Sequence, residues 1–195
     1  MLDRHEVEKV YHRARLARDM QWWDELVACY HPDAILDLSW FKGTVADFAK
    51  ASVGMATKMS SFHEVFPAVV ELDGNRALST NMVAIHLIAE IGGVEVDCVG
   101  YSFGRLRVER RIGAWLIAGS ETIYIHDTMV PVVPGRLPEL DLDRLKGYRP
   151  SYKFLSYMLE ARGLQARHDR PGMDRPDIVR RALERDRAWL AGGDV

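Results

Sequence analysis

Two residues of this chain have the type and setting for proton transfer, Asp19 and His63. Asp19 falls in Arg18-Asp19-Met20, where one helical pattern ends and the next begins. His63 lies near the start of a strand-like run, Ser61-Phe62-His63-Glu64-Val65-Phe66. Each has a plain structural reading. A carboxylate at such a corner commonly caps a helix, and a histidine among bulky apolar neighbours is commonly a satisfied core residue. In contact they would do more: a carboxylate fixes the tautomer of an imidazole and stabilises the imidazolium once a proton has been taken. The linear sequence does not say whether the two meet.

Other chemistries find less support. Gly100-Tyr101-Ser102-Phe103-Gly104 matches G-x-S-x-G, but a nucleophile elbow needs a strand–turn–helix with its triad partners following. Here Arg105-Leu106-Arg107-Val108 continues the strand pattern, and glycines inside a strand more often mark a kink or bulge. The seven histidines show neither H-x-H nor H-E-x-x-H spacing, and no phosphate-binding glycine motif follows a strand. Cys29 and Cys98 make no disulfide framework or metal set and read as buried thiols. A site without metal or cofactor is expected.

The elements that must position Asp19 and His63 are legible from periodicity. Residues 3–18 carry Val7, Val10, Tyr11 and Ala14 at helical spacing, with Asp3 as the expected cap. A short helix with Trp22, Trp23, Leu26, Val27 and Tyr30 ends at His31-Pro32-Asp33, because proline disfavours helix in the residue before it. A strand over 34–40 and a helix over 44–58 follow. Residues 62–72, 76–90, 94–109 and 114–126 are β-type runs separated by Asp73-Gly74-Asn75, Gly92-Gly93 and Ile112-Gly113, as in hairpins. Helices followed by an antiparallel meander mean α+β. Runs apolar on both faces, such as Met82-Val83-Ala84-Ile85, call for a second cover, which an oligomer would supply. Residues 128–150 read as a long proline- and glycine-rich arm, 151–162 and 175–191 as closing helices, the last capped by Asp174.

With 195 residues, 48% of them hydrophobic, the chain can bury a sizeable core. Its net charge of -2 gives no field for a polyanion, so no nucleic-acid partner is expected. MLDRHEVEKV has no apolar signal core, and no apolar run reaches the ~18 residues of a membrane span. A cytoplasmic protein without membrane attachment is expected.

The order of elements resembles the SnoaL-like branch of the NTF2-like fold, which includes polyketide cyclases, scytalone dehydratase, bile-acid 7α-dehydratase and hexachlorocyclohexane dehydrochlorinase. Leu16-Ala17-Arg18-Asp19 before Gln21-Trp22-Trp23-Asp24-Glu25-Leu26 is similar to the segment carrying that group's Asp. Ser61-Phe62-His63, followed by Val69-Val70-Glu71-Leu72-Asp73-Gly74, is similar to the strand carrying its His. Arg111-Ile112-Gly113-Ala114-Trp115 matches the turn before its last strand. The resemblance covers about residues 3–130. It implies a cone of bent antiparallel sheet packed on N-terminal helices, with 131–195 as a C-terminal arm and helices on the same domain.

The resemblance also implies a cofactor-independent lyase in which His63 is the base and Asp19 its orienter, acting on a hydrophobic small molecule. Ala14 and Ser120 stand where several such lyases carry polar residues or an arginine, so help for the leaving group must come from elsewhere. Tyr30, Trp40, Asp97, Tyr101, Glu121 and Tyr124 are the candidate substrate-binding residues. Trp22, Trp23, Phe41, Phe62 and Phe66 add rings that suit a bulky aromatic or polycyclic substrate, for example a lignin-derived diarylpropane losing water or formaldehyde. Tyr152, Phe154 and Tyr157 are expected over the mouth of the barrel. Two alternatives stand: an isomerase or cyclase with the same pair, and a non-catalytic ligand-binding domain. A homo-oligomer, a trimer by preference, is expected.

Overall fold

Apolar residues three and four apart turn one face of the first helix, α1 (Leu2–Asp19), inward: Val7, Val10, Tyr11, Ala14 and Ala17 are all buried. Asp3 lies within the first turn rather than capping it. It accepts hydrogen bonds from Arg110 Nη1 at 2.9 Å and Trp115 Nε1 at 3.0 Å, tying the helix start to the far end of the sheet. The computed structural model describes residues 2–194. After α1 come α2 (Trp23–Ala28), β1 (Tyr30–Asp37), β2 (Lys42–Thr44) and α3 (Val45–Ala56), the last capped by Thr44 Oγ1 accepting from the Asp47 N–H at 3.2 Å. The strand expected at 34–40 thus begins at Tyr30, which pairs with Ile117; an irregularity between Tyr30 and Ile35 takes up Pro32, which has no N–H to donate.

The meander follows as β3 (Ser60–Val65), β4 (Val69–Asp73), β5 (Arg76–Ile91), β6 (Val94–Arg111) and β7 (Ala114–Pro131). Together with β1 and β2 these make one curled sheet of seven strands, ordered β2-β1-β7-β6-β5-β3, with β4 also on β5. Among the pairings of these described strands, only β1–β7 is parallel. The run expected at 62–72 is two strands. Pro67 cannot donate to the ladder, so β3 and β4 pair with opposite halves of the long β5. Two bulges on β7, beside Arg107/Val108 and Tyr101/Ser102 of β6, deepen the curl. The tight hairpins at Gly92-Gly93 and Ile112-Gly113 have positive φ at both central residues, the geometry that matches strand twist.

The C-terminal segment is built into the fold. It contains α4 (Leu142–Lys146), unforeseen in the arm, then a 3₁₀ turn (Pro150–Tyr152), α5 (Lys153–Ala161) and α6 (Pro176–Leu190). Asp174 does not cap α6; it accepts from Arg149 Nη2 at 2.7 Å and from Ser151 Oγ at 2.7 Å. Helix α6 lies on the outer face of the sheet, where Arg105 Nε meets Asp186 Oδ2 at 2.7 Å. The chain's own last helix therefore supplies part of the cover that the pattern had assigned to a second copy.

Apolar side chains gather in two clusters. One joins α1, α2, α3 and β1 to one end of the sheet; the other joins α5 to the far halves of β5 and β6 through Leu87, Val96, Cys98, Leu155, Met158 and Leu159. Both cysteines are buried and free. Among the described residues no helix is long and apolar enough to cross a membrane.

Candidate active site

Between the two clusters the sheet leaves a cavity of about 80 Å³, lined by Phe48 and Val83 from the first and by Met55, Leu87, Leu155 and Leu159 from the second. Its room comes from small side chains on β6 and β7: Ser102, Gly104 and Thr122 all face it. A Cβ on Gly104 would sit 3.1 Å from Asn81 Oδ1 and 3.4 Å from Val83 Cγ2, so this glycine is needed for close approach and not for a nucleophile elbow. Ser102 Oγ accordingly lies mid-strand, 3.5 Å from the Val83 carbonyl.

Asp19 and His63 meet at the wall of this cavity. Asp19 ends α1, where the helix dipole disfavours a negative charge, so its carboxylate requires other partners and caps no helix. His63 Nδ1 lies 2.7 Å from Asp19 Oδ1, and the His63 backbone N–H donates to Oδ2 at 2.8 Å. Arg18 Nη1 adds a third contact, 3.1 Å to Oδ1, and also donates to the Ser61 carbonyl at 3.2 Å. A carboxylate so held is clamped in position and orientation.

The electrostatics follow from burial and these bonds. Burial alone would raise the Asp19 carboxyl, but the bonds and charge from His63, then Arg18, hold it below the ordinary carboxylate range. Burial pushes His63 down to about 4; the Asp19 hydrogen bond opposes this, while the Arg15 and Arg18 charges add to it. At neutral pH the ring is therefore neutral and the carboxylate ionised. An ionised carboxylate only accepts, so Nδ1 carries the proton and Nε2 the lone pair. Nε2 has no hydrogen-bond partner among the described residues, and the ring lines the cavity. This is a neutral base, held in one tautomer, facing a largely apolar space.

Of the six candidate substrate-binding residues, the structure places Trp40 and Tyr124 in the cavity wall. Tyr124 Oη accepts from the Ser39 N–H at 2.9 Å, and burial pushes its phenol up to about 12. Tyr30 is buried in the first cluster and does not line the cavity. Asp97 and Tyr101 are outward, because β6 alternates and Ser102 and Gly104 take the inward positions. Asp97 instead meets His86 Nδ1 at 2.8 Å. Glu121 is outward too, paired with Arg185 and 4.0 Å from Arg170 Nη1. The expected ring-rich surroundings are also thinner than the composition implied. Phe62 and Phe66 are each 41% exposed and Trp22 44%, and the cavity draws its rings from Trp40, Phe48 and Tyr124. From α5, Leu155 and Leu159 line the cavity, whereas Tyr152, Phe154 and Tyr157, expected over its mouth, do not.

Sequence reasoning missed four polar residues of the wall: Arg15, Arg18, Ser39 and Thr122. A signal for the first two was present, since positions 15, 18 and 19 share one helical face. Ser39 carried none; it lies in the link from β1 to β2 and is brought in only by the path of the chain.

A bent sheet closed by helices over such a cavity is the NTF2-like, cystatin-like α+β architecture, and solved structures agree. The chain is similar to a candidate scytalone dehydratase from Novosphingobium aromaticivorans (18% identity, TM-score 0.57, covering 70% of this chain and 95% of that one). It is likewise similar to a type 2 hexachlorocyclohexane dehydrochlorinase, LinA (13% identity, TM-score 0.53, 72% and 95%). At these identities the likeness is one of fold. The chain belongs to the SnoaL-like domain family, which matches residues 1–121. A curated relative is pea pathogenicity protein 2 of the fungus Fusarium vanettenii, 33% identical over 161 residues, spanning 80% of this chain and 69% of that protein.

Proposed function

We propose that the protein is a lyase in which His63 acts as general base and Asp19 as its positioning residue. One observation carries this reading: Nδ1 is committed to an ionised carboxylate at 2.7 Å, while Nε2 is left free in the wall of the cavity. In the reaction, Nε2 takes a proton from a substrate carbon. The C–H electron pair becomes the new C=C bond, and the group on the adjacent carbon departs with its bonding pair. The imidazolium then returns its proton to a departing hydroxide, so that water leaves. Asp19 stabilises the imidazolium in between. The dehydratase and dehydrochlorinase among the fold's neighbours support elimination as the reaction type.

The cavity, at about 80 Å³, is small beside the roughly 300–1,000 Å³ that drug-sized ligands occupy. It favours a compact, flat substrate with one aromatic ring; a diarylpropane needs α5 to move aside. In this reading Tyr124, which lines the cavity and whose phenol burial pushes up to about 12, donates to the leaving group. The outer-face rings of Phe62, Phe66 and Phe103 support self-association, which light scattering of the purified protein tests.

The test of the reaction is a panel of single-ring β-hydroxy ketones and acids, with diarylpropane diols alongside, incubated with wild type and with His63→Gln. Wild type should release alkene with loss of water by mass, and the variant should not. From a diol whose CH2OH hydroxyl proton the base takes, so that the C–C pair forms the alkene, formaldehyde and water should be lost together. Equal turnover by both would end the reading. A product of unchanged mass would point to an isomerase or cyclase using the same pair.

A further inference from the structure

Arg15 makes no direct ion pair among the described residues, although the Tyr11 side chain and the Asp19 charge favour its charged form against burial. It lies on the same face of α1 as Arg18 and Asp19, and it lines the cavity with His63. Asp19 is turned to other partners: Oδ1 is shared by the His63 ring and Arg18, and Oδ2 takes the His63 backbone N–H. Among the described residues no carboxylate lies within ion-pair distance of Arg15. Its guanidinium instead sits 5.5 Å from the centre of the Tyr11 ring, and Tyr11 Oη is occupied in accepting from Asn81 Nδ2 at 2.5 Å. The cation–π contact holds the side chain in place without neutralising it.

Summed over the wall, two guanidiniums face one carboxylate and a neutral imidazole, leaving one positive charge in poorly solvated surroundings. Such a charge is costly unless paired. Two hydroxyls share the space. Ser39 Oγ is buried with no hydrogen-bond partner. Tyr124 Oη accepts from the Ser39 N–H and keeps its own proton to donate. A cation and two hydroxyl donors beside a free base describe half of a recognition site for an anion.

We propose that Arg15 is an anion-binding residue, and that the natural ligand is a compact planar acid whose carboxylate pairs with Arg15 while its ring fills the apolar part of the cavity. The inference rests on the cavity being the reaction site proposed above and adds its substrate class. It also gives the wall a chemical logic. A carboxylate beside the carbon to be deprotonated accepts part of the developing negative charge, and Arg15 stabilises that charge where it forms. Ligand binding at the same time neutralises the charge that presses on His63, making the base stronger when substrate is present.

The probes are benzoate and its uncharged isostere benzamide, titrated calorimetrically at pH 7 and constant ionic strength. Wild type should bind benzoate about 10-fold more tightly than benzamide, the worth of one charge-assisted contact. Arg15→Met should reduce that ratio to near unity, and Arg15→Lys should retain most of it. Thermal midpoints of both variants confirm that they are folded. His63→Gln should keep the benzoate preference, which separates failure of the anion site from failure of the base. The proposal is overturned if benzoate does not bind wild type at millimolar concentration, if benzamide binds as well, or if Arg15→Met keeps the preference. It is also overturned if chloride displaces benzoate at equal concentration, since the site would then be for inorganic anions only.

Discussion

The sheet carries two histidine–carboxylate pairs, one on each face, and they are built differently. His63 on β3 stands opposite Ile85, and His86 is the next residue along β5, so the two rings project to opposite sides. On the inner face His63 meets a carboxylate from a helix, and that carboxylate is also bound by a backbone N–H and an arginine. On the outer face His86 meets Asp97 of the neighbouring strand at 2.8 Å and stacks on Phe62 at 4.4 Å, with Glu64 Oε1 3.5 Å from its other nitrogen. The distances to the partner are nearly equal. What differs is the rest: the unbonded nitrogen of the inner ring faces a cavity with excess positive charge, while that of the outer ring, also without a hydrogen bond, is buried with Glu64 at 3.5 Å and lines neither this cavity nor the two surface clefts. A histidine–carboxylate contact is thus a common structural bond. It becomes a candidate site only where the second nitrogen faces space that a ligand can enter.

The sharpest way to break this comparison is to remove each ring in turn. His63→Gln should lower kcat/KM by about 10²–10⁴-fold, the usual worth of a positioned base, while His86→Gln should stay within about 3-fold. Equal losses measured on the same substrate would erase the distinction. Asp19→Asn should approach the His63 effect, because an amide oxygen stabilises the imidazolium far less than a carboxylate does.

Acid stability comes next. His63 titrates near 4 in the folded chain and near 6.5 when unfolded, so the unfolded state binds more protons between those values. Stability contributed by the neutral ring is full above about pH 6.5 and is lost as pH falls towards 4, by at most about 3 kcal/mol. Asp19, held low in the folded state, loses its contribution at still lower pH, in the same direction. Urea unfolding at pH 7 and 4.5 should show a smaller drop for His63→Gln than for wild type. In the pH profile of kcat/KM, which reports the free enzyme, the acid limb should lie near 4 and not near 6.5.

A smaller effect concerns the cover of the inner face. Asp127, brought inward beside the β7 bulge, accepts the Leu155 N–H at 2.8 Å and so caps α5 from the sheet, since Tyr152 at the helix's own cap position provides no bond. Asp127→Ala should cost about 1–2 kcal/mol by denaturation, and should loosen the cavity while leaving the outer pair intact. The smallest change touches neither face: Ile112 is a β-branched residue at φ +51 in an exposed hairpin. Ile112→Asn should raise stability by about 0.5–1 kcal/mol with unchanged activity.

Much of the framework was legible. Helical spacing along α1, glycine-marked hairpins and the order of helices before strands pointed to the fold class; the settings of Asp19 and His63 allowed a pair, and the family resemblance was what singled them out. The misreadings have physical causes. Residues 62–72 read as one strand because apolar alternation continues across Pro67, and only the missing N–H breaks the ladder. Asp97, Tyr101 and Glu121 were assigned to the cavity because sequence gives the two-residue period but not which face is inward, and the β7 bulges reset that count twice. Arg15 was passed over because a charged residue on an amphipathic helix normally points to water.

The sequence by itself determined the elements, their order and the residue types able to move a proton, since periodicity and turn chemistry act within a few positions of one another. The tertiary structure decided which face each side chain takes, that α5 lines the cavity, and that Asp19 is engaged by His63 and Arg18 while Arg15 makes no ion pair. Those are matters of contact between segments distant along the chain, and of burial that only the assembled fold creates, so no local pattern could carry them.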